Sequence, residues 1–230
     1  MPYKIILFFV LALFCATDCF PQDNPVKKDR IADNVTENYH VLPTSPDTKD
    51  GLYQAFYHRK KLIALGYYSK GKRIGIWRYY NPRGATYEVY NFDKDSIEYE
   101  AFENVRSPMR YYVDRKLTDT DKTTKPYKIG GRYYGYLPYL TAFKVPFVLN
   151  WGDASYFFAQ IELLISPMGR LADYKVHVMG FGYEQTFNLS LNLFKEEDKQ
   201  FIPATVNKKP VISRILINCR VTDDGGLDFY

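Results

Sequence analysis

The side chains able to do chemistry are few and scattered. Three histidines stand at His40, His58 and His177, too far apart in sequence for the short spacings that let two imidazoles on one element share a metal ion. No Gly-x-Ser-x-Gly elbow, phosphate-binding loop or dinucleotide fingerprint occurs. Glu162 and Asp173 fall on two segments that read as the arms of one hairpin, but a general-acid pair needs a pocket as well as two carboxylates. The pairs Asp93/Asp95, Asp119/Asp121 and Asp223/Asp224 lack the glycine and bidentate glutamate of a calcium loop and read as turn chemistry. His177 alternates within a strand, as a partly exposed, hydrogen-bonded imidazole would. The expectation is a protein with no catalytic residue, no metal site and no cofactor, and therefore not an enzyme. A basic cluster, His58-Arg59-Lys60-Lys61 with Lys70, Lys72 and Arg73, offers contact with anionic lipid or glycan, or else stays solvated at hairpin tips.

Composition says which elements must carry these residues. Of 230 residues, 46% are hydrophobic and 25% charged, which excludes a disordered chain. The 22 Tyr and 16 Phe favour strands, because rings pack well on a half-buried pleated surface. Basic residues exceed acidic ones only as 31 to 26, spread along the chain, so no nucleic-acid partner is implied. Lys4 precedes an apolar run from Ile5 to Ala16. At about twelve residues the run has the grammar of a signal peptide and falls short of the roughly 20 that a membrane-crossing helix needs. Residues 1–22 are thus read as a cleaved leader and the protein as exported. Cleavage removes Cys15 and Cys19 and leaves Cys219 alone, among Leu216, Ile217 and Val221, as a buried and unreactive thiol.

Residues 23–50 are polar and interrupted by Pro25, Pro43 and Pro46, and read as a flexible arm. Residues 117–125 are polar throughout after Leu117 and read as a linker between two domains. The first domain, 51–116, repeats itself at an offset of about 24. Gly51, Leu52 and Tyr53 align with Gly75, Ile76 and Trp77, and Ile63, Leu65 and Tyr68 with Tyr87, Val89 and Phe92. Alternating apolar residues between turn glycines predict hairpins in series. The string Gly71-Lys72-Arg73-Ile74-Gly75-Ile76-Trp77-Arg78-Tyr79-Tyr80 resembles the MORN-like repeats of exported bacterial proteins. Its rings, Tyr53, Tyr68, Trp77, Tyr79 and Tyr80, form either a ligand surface for glycan or lipid head groups or a packed core.

The second domain, 126–222, predicts a hairpin through Ser166-Pro167-Met168-Gly169-Arg170 and a final strand from Val211 to Val221. Pro167-Met168-Gly169-Arg170-Leu171, Phe201-x-Pro203-Ala204 and Asn207-Lys208-Lys209-Pro210-Val211 follow one another as landmarks do in the C-terminal domain of TonB-type energy transducers. Ile129-Gly130-Gly131, Tyr139-Leu140, Val145-Pro146 and Ala154 resemble the opening of that domain. The resemblance implies an α+β fold: a MORN-like antiparallel hairpin sheet followed by a small antiparallel sheet with one or two helices. One helix is expected over 184–199, although Phe187, Leu189, Leu191 and Leu193 alternate with period 2. The resemblance further implies a periplasmic protein-interaction module of a Gram-negative envelope that binds envelope proteins, possible outer-membrane receptors among them, by strand addition. The accepting edge would be the last strand, with Val211, Ser213, Arg214, Leu216 and Asn218 along it, unless the first domain or the tail 223–230 covers it. The alternative is an envelope structural protein whose repeats hold glycan or membrane without any transport role. A homodimer fits either reading.

Overall fold

Alternation of inward and outward side chains builds most of this chain. In the computed structural model, which describes residues 24–103, 107–146, 156–180 and 182–229, seven strands follow one another as a continuous antiparallel meander. They are β1 (Val26–Ala32), β2 (Val35–Leu42), β3 (Ser45–Tyr57), β4 (Lys61–Ser69), β5 (Lys72–Tyr80), β6 (Thr86–Asn91) and β7 (Ser96–Glu100). The repeat offset carries β3 onto β5, and its equivalent rings Tyr53 and Trp77 lie 5.3 Å apart, both fully buried. A second sheet contains β8 (Met109–Val113), β10 (Phe158–Ile165), β11 (Leu171–Gly180), β12 (Tyr183–Asn188), β15 (Ser213–Val221) and β16 (Leu227–Phe229), in the order β12-β11-β10-β15-β16 with β8 also on β15. A small third sheet joins β9 (Thr123–Thr124), β13 (Thr205–Val206) and β14 (Lys209–Pro210).

Between the two large sheets runs a segment containing a 3-10 turn, Tyr134–Tyr136, and the helix α1 (Leu137–Thr141). Tyr134 stacks on Tyr79 of the meander at 5.7 Å and shares a 2.6 Å hydrogen bond with the Tyr53 hydroxyl. Toward the other sheet, Tyr174 donates to the Tyr139 carbonyl at 2.7 Å, and Phe143 packs on Phe187 at 5.0 Å. The result is one hydrophobic core shared by both sheets. Glu88 fastens the segment: its carboxylate, fully buried on β6, accepts N–H bonds from Gly130 at 3.2 Å and Gly131 at 2.5 Å. Both glycines have positive φ, which aims successive amides at one anion.

Several expectations are corrected. The fold is largely all-β, with 56% strand and 6% helix, and not α+β. Over 184–199 the expected helix is absent: β12 ends at Asn188, so that of the four alternating residues only Phe187 is in a strand, and a 3-10 turn, Leu191–Leu193, capped by the Ser190 hydroxyl, follows. The expected arm, 23–50, forms β1, β2 and the start of β3. Its alternation was hidden because one inward residue is Glu37, neutralised by Lys49 at 2.8 Å. Pro25 precedes β1 and Pro43 sits in the β2–β3 turn, so these prolines punctuate strands and build no spacer. The linker contributes β9, and the tail supplies β16. The leader, 1–22, Ala154 and Tyr230 lie outside the described residues.

The turn between β13 and β14 holds Asn207 and Lys208 at φ of 51° and 66°. Lys208 stands there without glycine's freedom, at a cost of about 1 kcal/mol. Lys208→Gly is expected to raise the unfolding free energy by about 0.5 kcal/mol after glycine's own entropy is counted, and the urea midpoint with it; a lowered midpoint would contradict the turn geometry.

Candidate functional site

The last strand is not an edge. β15 pairs with β10 along its whole length on one flank. On the other, Ser213–Ile217 pair with Val113–Met109 of β8, Asn218 N–H donates to Pro108 O, and Cys219–Val221 pair with β16. The chain's own strands therefore occupy the flank expected to receive a partner. Ser213 is fully buried, Arg214 and Asn218 hydrogen-bond on the sheet's outer face, and Val211 N–H donates to the Ala204 carbonyl. The sequence left open whether the first domain or the tail covers this strand, and both do; it could not decide, because β8 lies about a hundred positions from its partner and loop closure over that distance leaves no local signature.

The ring row is likewise corrected. Tyr53, Trp77 and Tyr79 are fully buried, and Tyr68 packs edge-on against Trp77 at 5.1 Å; Tyr68 and Tyr80 keep partial exposure. The more exposed rings are on the opposite face of the meander, where Tyr67 and Tyr99 stand with Ile74 and Ile76. The same period-2 count finds them once the phase of each strand is known.

On the outer face of the second sheet, three strands bring a polar chain together. The Thr186 hydroxyl is 2.9 Å from His177 Nδ1, and His177 Nε2 is 2.9 Å from Glu162 Oε2. The order of groups is that of a nucleophile, base and acid. Yet Glu162 also accepts from Arg214 Nη1, while Arg214 Nη2 bonds Asp114 at 3.2 Å, so the chain continues as a ladder of opposite charges across neighbouring strands. Burial alone would raise the Glu162 carboxyl, but the bonds from His177 and Arg214 outweigh it and hold it below its ordinary value. A carboxylate so saturated stabilises the sheet surface and has no spare basicity. Asp173 pairs with its neighbour Lys175 at 3.0 Å and does not face Glu162. Among the described residues no cluster of His, Cys, Asp or Glu could hold a metal ion. Burial pushes the Cys219 thiol up to about 12, away from reactivity.

Four strands of appreciable length leave a flank unpaired among the described residues, and they differ in how that flank is protected. β1 carries Lys27, Lys28, Asp29 and Arg30 and a register shift after Arg30. β7 carries Glu98 and Glu100 beside a shift opposite Val89. β8 has Arg110, whose guanidinium donates to the carbonyls of Ser107 at 2.6 Å and Met109 at 2.7 Å. Charges, bulges and self-capping are the devices that keep a sheet edge from acquiring a foreign strand. β12 has none of them: six residues in unbroken register with β11 and a single charge, Glu184. Leu189 N–H donates to the Tyr174 carbonyl at 3.0 Å, which fixes the phase of the pairing. Gln185 and Phe187 therefore turn their main-chain groups to β11, and Glu184, Thr186 and Asn188 turn theirs outward.

No family model, curated protein or solved structure matches this chain, so the resemblances to the energy-transducer domain and to MORN-like repeats rest on the residues quoted for them.

Proposed function

We propose that this chain is an exported, non-enzymatic interaction module of a Gram-negative envelope, which captures an extended segment of another envelope protein by adding it to the outer edge of β12. The observation that carries the reading is the contrast among edges: among the described residues, β12 alone combines unbroken register with an almost uncharged flank that no other strand or side chain caps. The mode of binding is the one implied by the resemblance to the transducer domain, while the edge differs from the one first expected. Main-chain bonds to Glu184, Thr186 and Asn188 supply affinity, and the side chains alternating along the added strand supply selectivity.

Thr186→Pro deletes one outward N–H without touching the β11 ladder, a substitution that edge strands tolerate. With a photo-crosslinker at Glu184 in intact cells, the wild type is expected to capture an envelope protein through one extended segment, and the proline variant to lose that product. Thr186→Val, which keeps the N–H and drops the hydroxyl, should retain it. Crosslinks only to a second copy of this chain, or capture indifferent to Thr186→Pro, would overturn the reading. Indifference would also favour the alternative, a glycan- or membrane-holding protein, because the exposed face of Tyr67, Ile74, Ile76 and Tyr99 is untouched by that change.

A further inference from the structure

A cavity of about 650 Å³ opens between the inner face of the meander and the segment carrying α1, with the loop 195–200 at its mouth. Two of the five cationic side chains that line it are already committed. Lys49 pairs with Glu37 at 2.8 Å, and Lys128 Nζ donates to the carbonyls of Asp198 at 2.8 Å and Gln200 at 3.2 Å. Arg73 is different. Its guanidinium lies over the rings of Trp77 at 5.2 Å and Phe92 at 5.6 Å, with the side chain 24% exposed. Its one hydrogen bond among the described residues is a 3.4 Å contact from Nε to the Tyr68 hydroxyl, and the Glu197 carboxylate stands 3.8 Å from Nη2. A guanidinium has five N–H donors in a planar fork, so most of this one's capacity is unused. Close enough to feel its charge, the Tyr79 hydroxyl is buried with no hydrogen-bond partner among the described residues.

We propose that this cleft binds a small organic acid, with Arg73 taking the carboxylate on its fork and the flat apolar body lying along Tyr68, Phe92 and Ile129. The volume is that of an ordinary small-molecule site. The fork matches two carboxylate oxygens at once, and stacking on rings holds it in plane. Among the lining residues Lys49, Lys72, Arg73, Lys128 and Lys195 face Glu37, Glu197 and Asp198. That positive surplus attracts an anion, and the apolar wall of Tyr68, Phe92 and Ile129 suits a carboxylate on a flat body better than a fully hydrated phosphate. Glu197, an exposed carboxylate beside the fork, is the internal group that the ligand displaces. The MORN-like string thus has a role its rings alone did not suggest: Trp77 and its neighbours form the floor under Arg73.

Calorimetric titration of the full chain with benzoate, and separately with inorganic phosphate, tests this. Benzoate is expected to bind saturably and at least about tenfold more tightly than phosphate, and Arg73→Gln to weaken it by about tenfold or more. Glu197→Gln, an exposed change that leaves the core alone, should tighten benzoate severalfold by removing the competitor. No saturable binding of benzoate, phosphate binding as tightly, or an affinity unmoved by Glu197→Gln would each overturn the assignment. The last of these decides the matter even if Arg73→Gln does not fold.

Discussion

Gly66→Ala is expected to lower the unfolding free energy by about 3 kcal/mol, at the upper end of what overpacking costs. A Cβ at Gly66 would lie 2.2 Å from the Trp77 ring, and real atoms do not approach so closely. The indole has nowhere to go. It is fully buried between Tyr53 at 5.3 Å, Tyr68 at 5.1 Å and Phe92 at 5.8 Å, and its Nε1 donates to the Tyr67 carbonyl at 3.2 Å. Gly66 is therefore required for its missing side chain rather than for an unusual φ. A smaller ring position should relieve the clash, so Trp77→Leu in the Gly66→Ala background should cost less than the two single changes added together, with a coupling of about 1–3 kcal/mol. Urea midpoints of the four proteins measure it, and additivity would show that glycine and indole do not meet.

The second large effect is a pH dependence centred on Glu88. Burial pushes its carboxyl up to about 7 from 4.5, while the Tyr127 hydroxyl and the amides of Gly131 and Gly130 pull it back part of the way. A group whose pKa rises on folding holds its proton more tightly in the folded state, so its stabilisation is complete below about 4.5 and is lost as pH climbs through 7. Stability should thus fall across that window by an amount on the order of 3 kcal/mol. Glu88→Gln cannot titrate and should flatten the slope. Glu88→Ala leaves the Gly130 and Gly131 amides without their acceptor and should destabilise by about 3 kcal/mol at pH 5; having nothing to titrate, it too should lose the slope, so its deficit against the wild type shrinks as pH rises. Urea midpoints at pH 5 and pH 8 distinguish these outcomes; equal slopes in wild type and Glu88→Gln would mean that the carboxylate is not the titrating group. The consequence extends beyond stability, because Glu88 ties the segment carrying Tyr134 and α1 to the meander, and that segment walls the Arg73 cleft.

How far the sequence was legible depends on the range of the interaction concerned. The alternation of Phe187, Leu189, Leu191 and Leu193 favoured a strand, but only Phe187 lies in one, near the end of β12, and Leu191–Leu193 form a 3-10 turn; the helix expected by resemblance did not form. The rings of β3 and β5 were recognisable as a repeat, but whether they faced solvent or the core was open. Packing decided it, because a second layer carrying Tyr134 covers that face. The arm was misread for a reason particular to Glu37: a charge at an inward position breaks the hydrophobic count, and its partner Lys49 lies on the next strand.

What the amino-acid sequence determined by itself is the strand content and the turns between neighbours, since a side chain's face follows from a two-residue period and a turn from one or two residues at special φ. Only the tertiary structure decided which edges stay open and which charges stay unspent. β8 seals β15 from across the chain, Gly130 and Gly131 meet Glu88 from some forty positions away, and Glu197 reaches Arg73 from farther still. Such contacts are set by how two sheets close over one core, and the energy that selects them belongs to the assembled layers and to no local stretch of sequence.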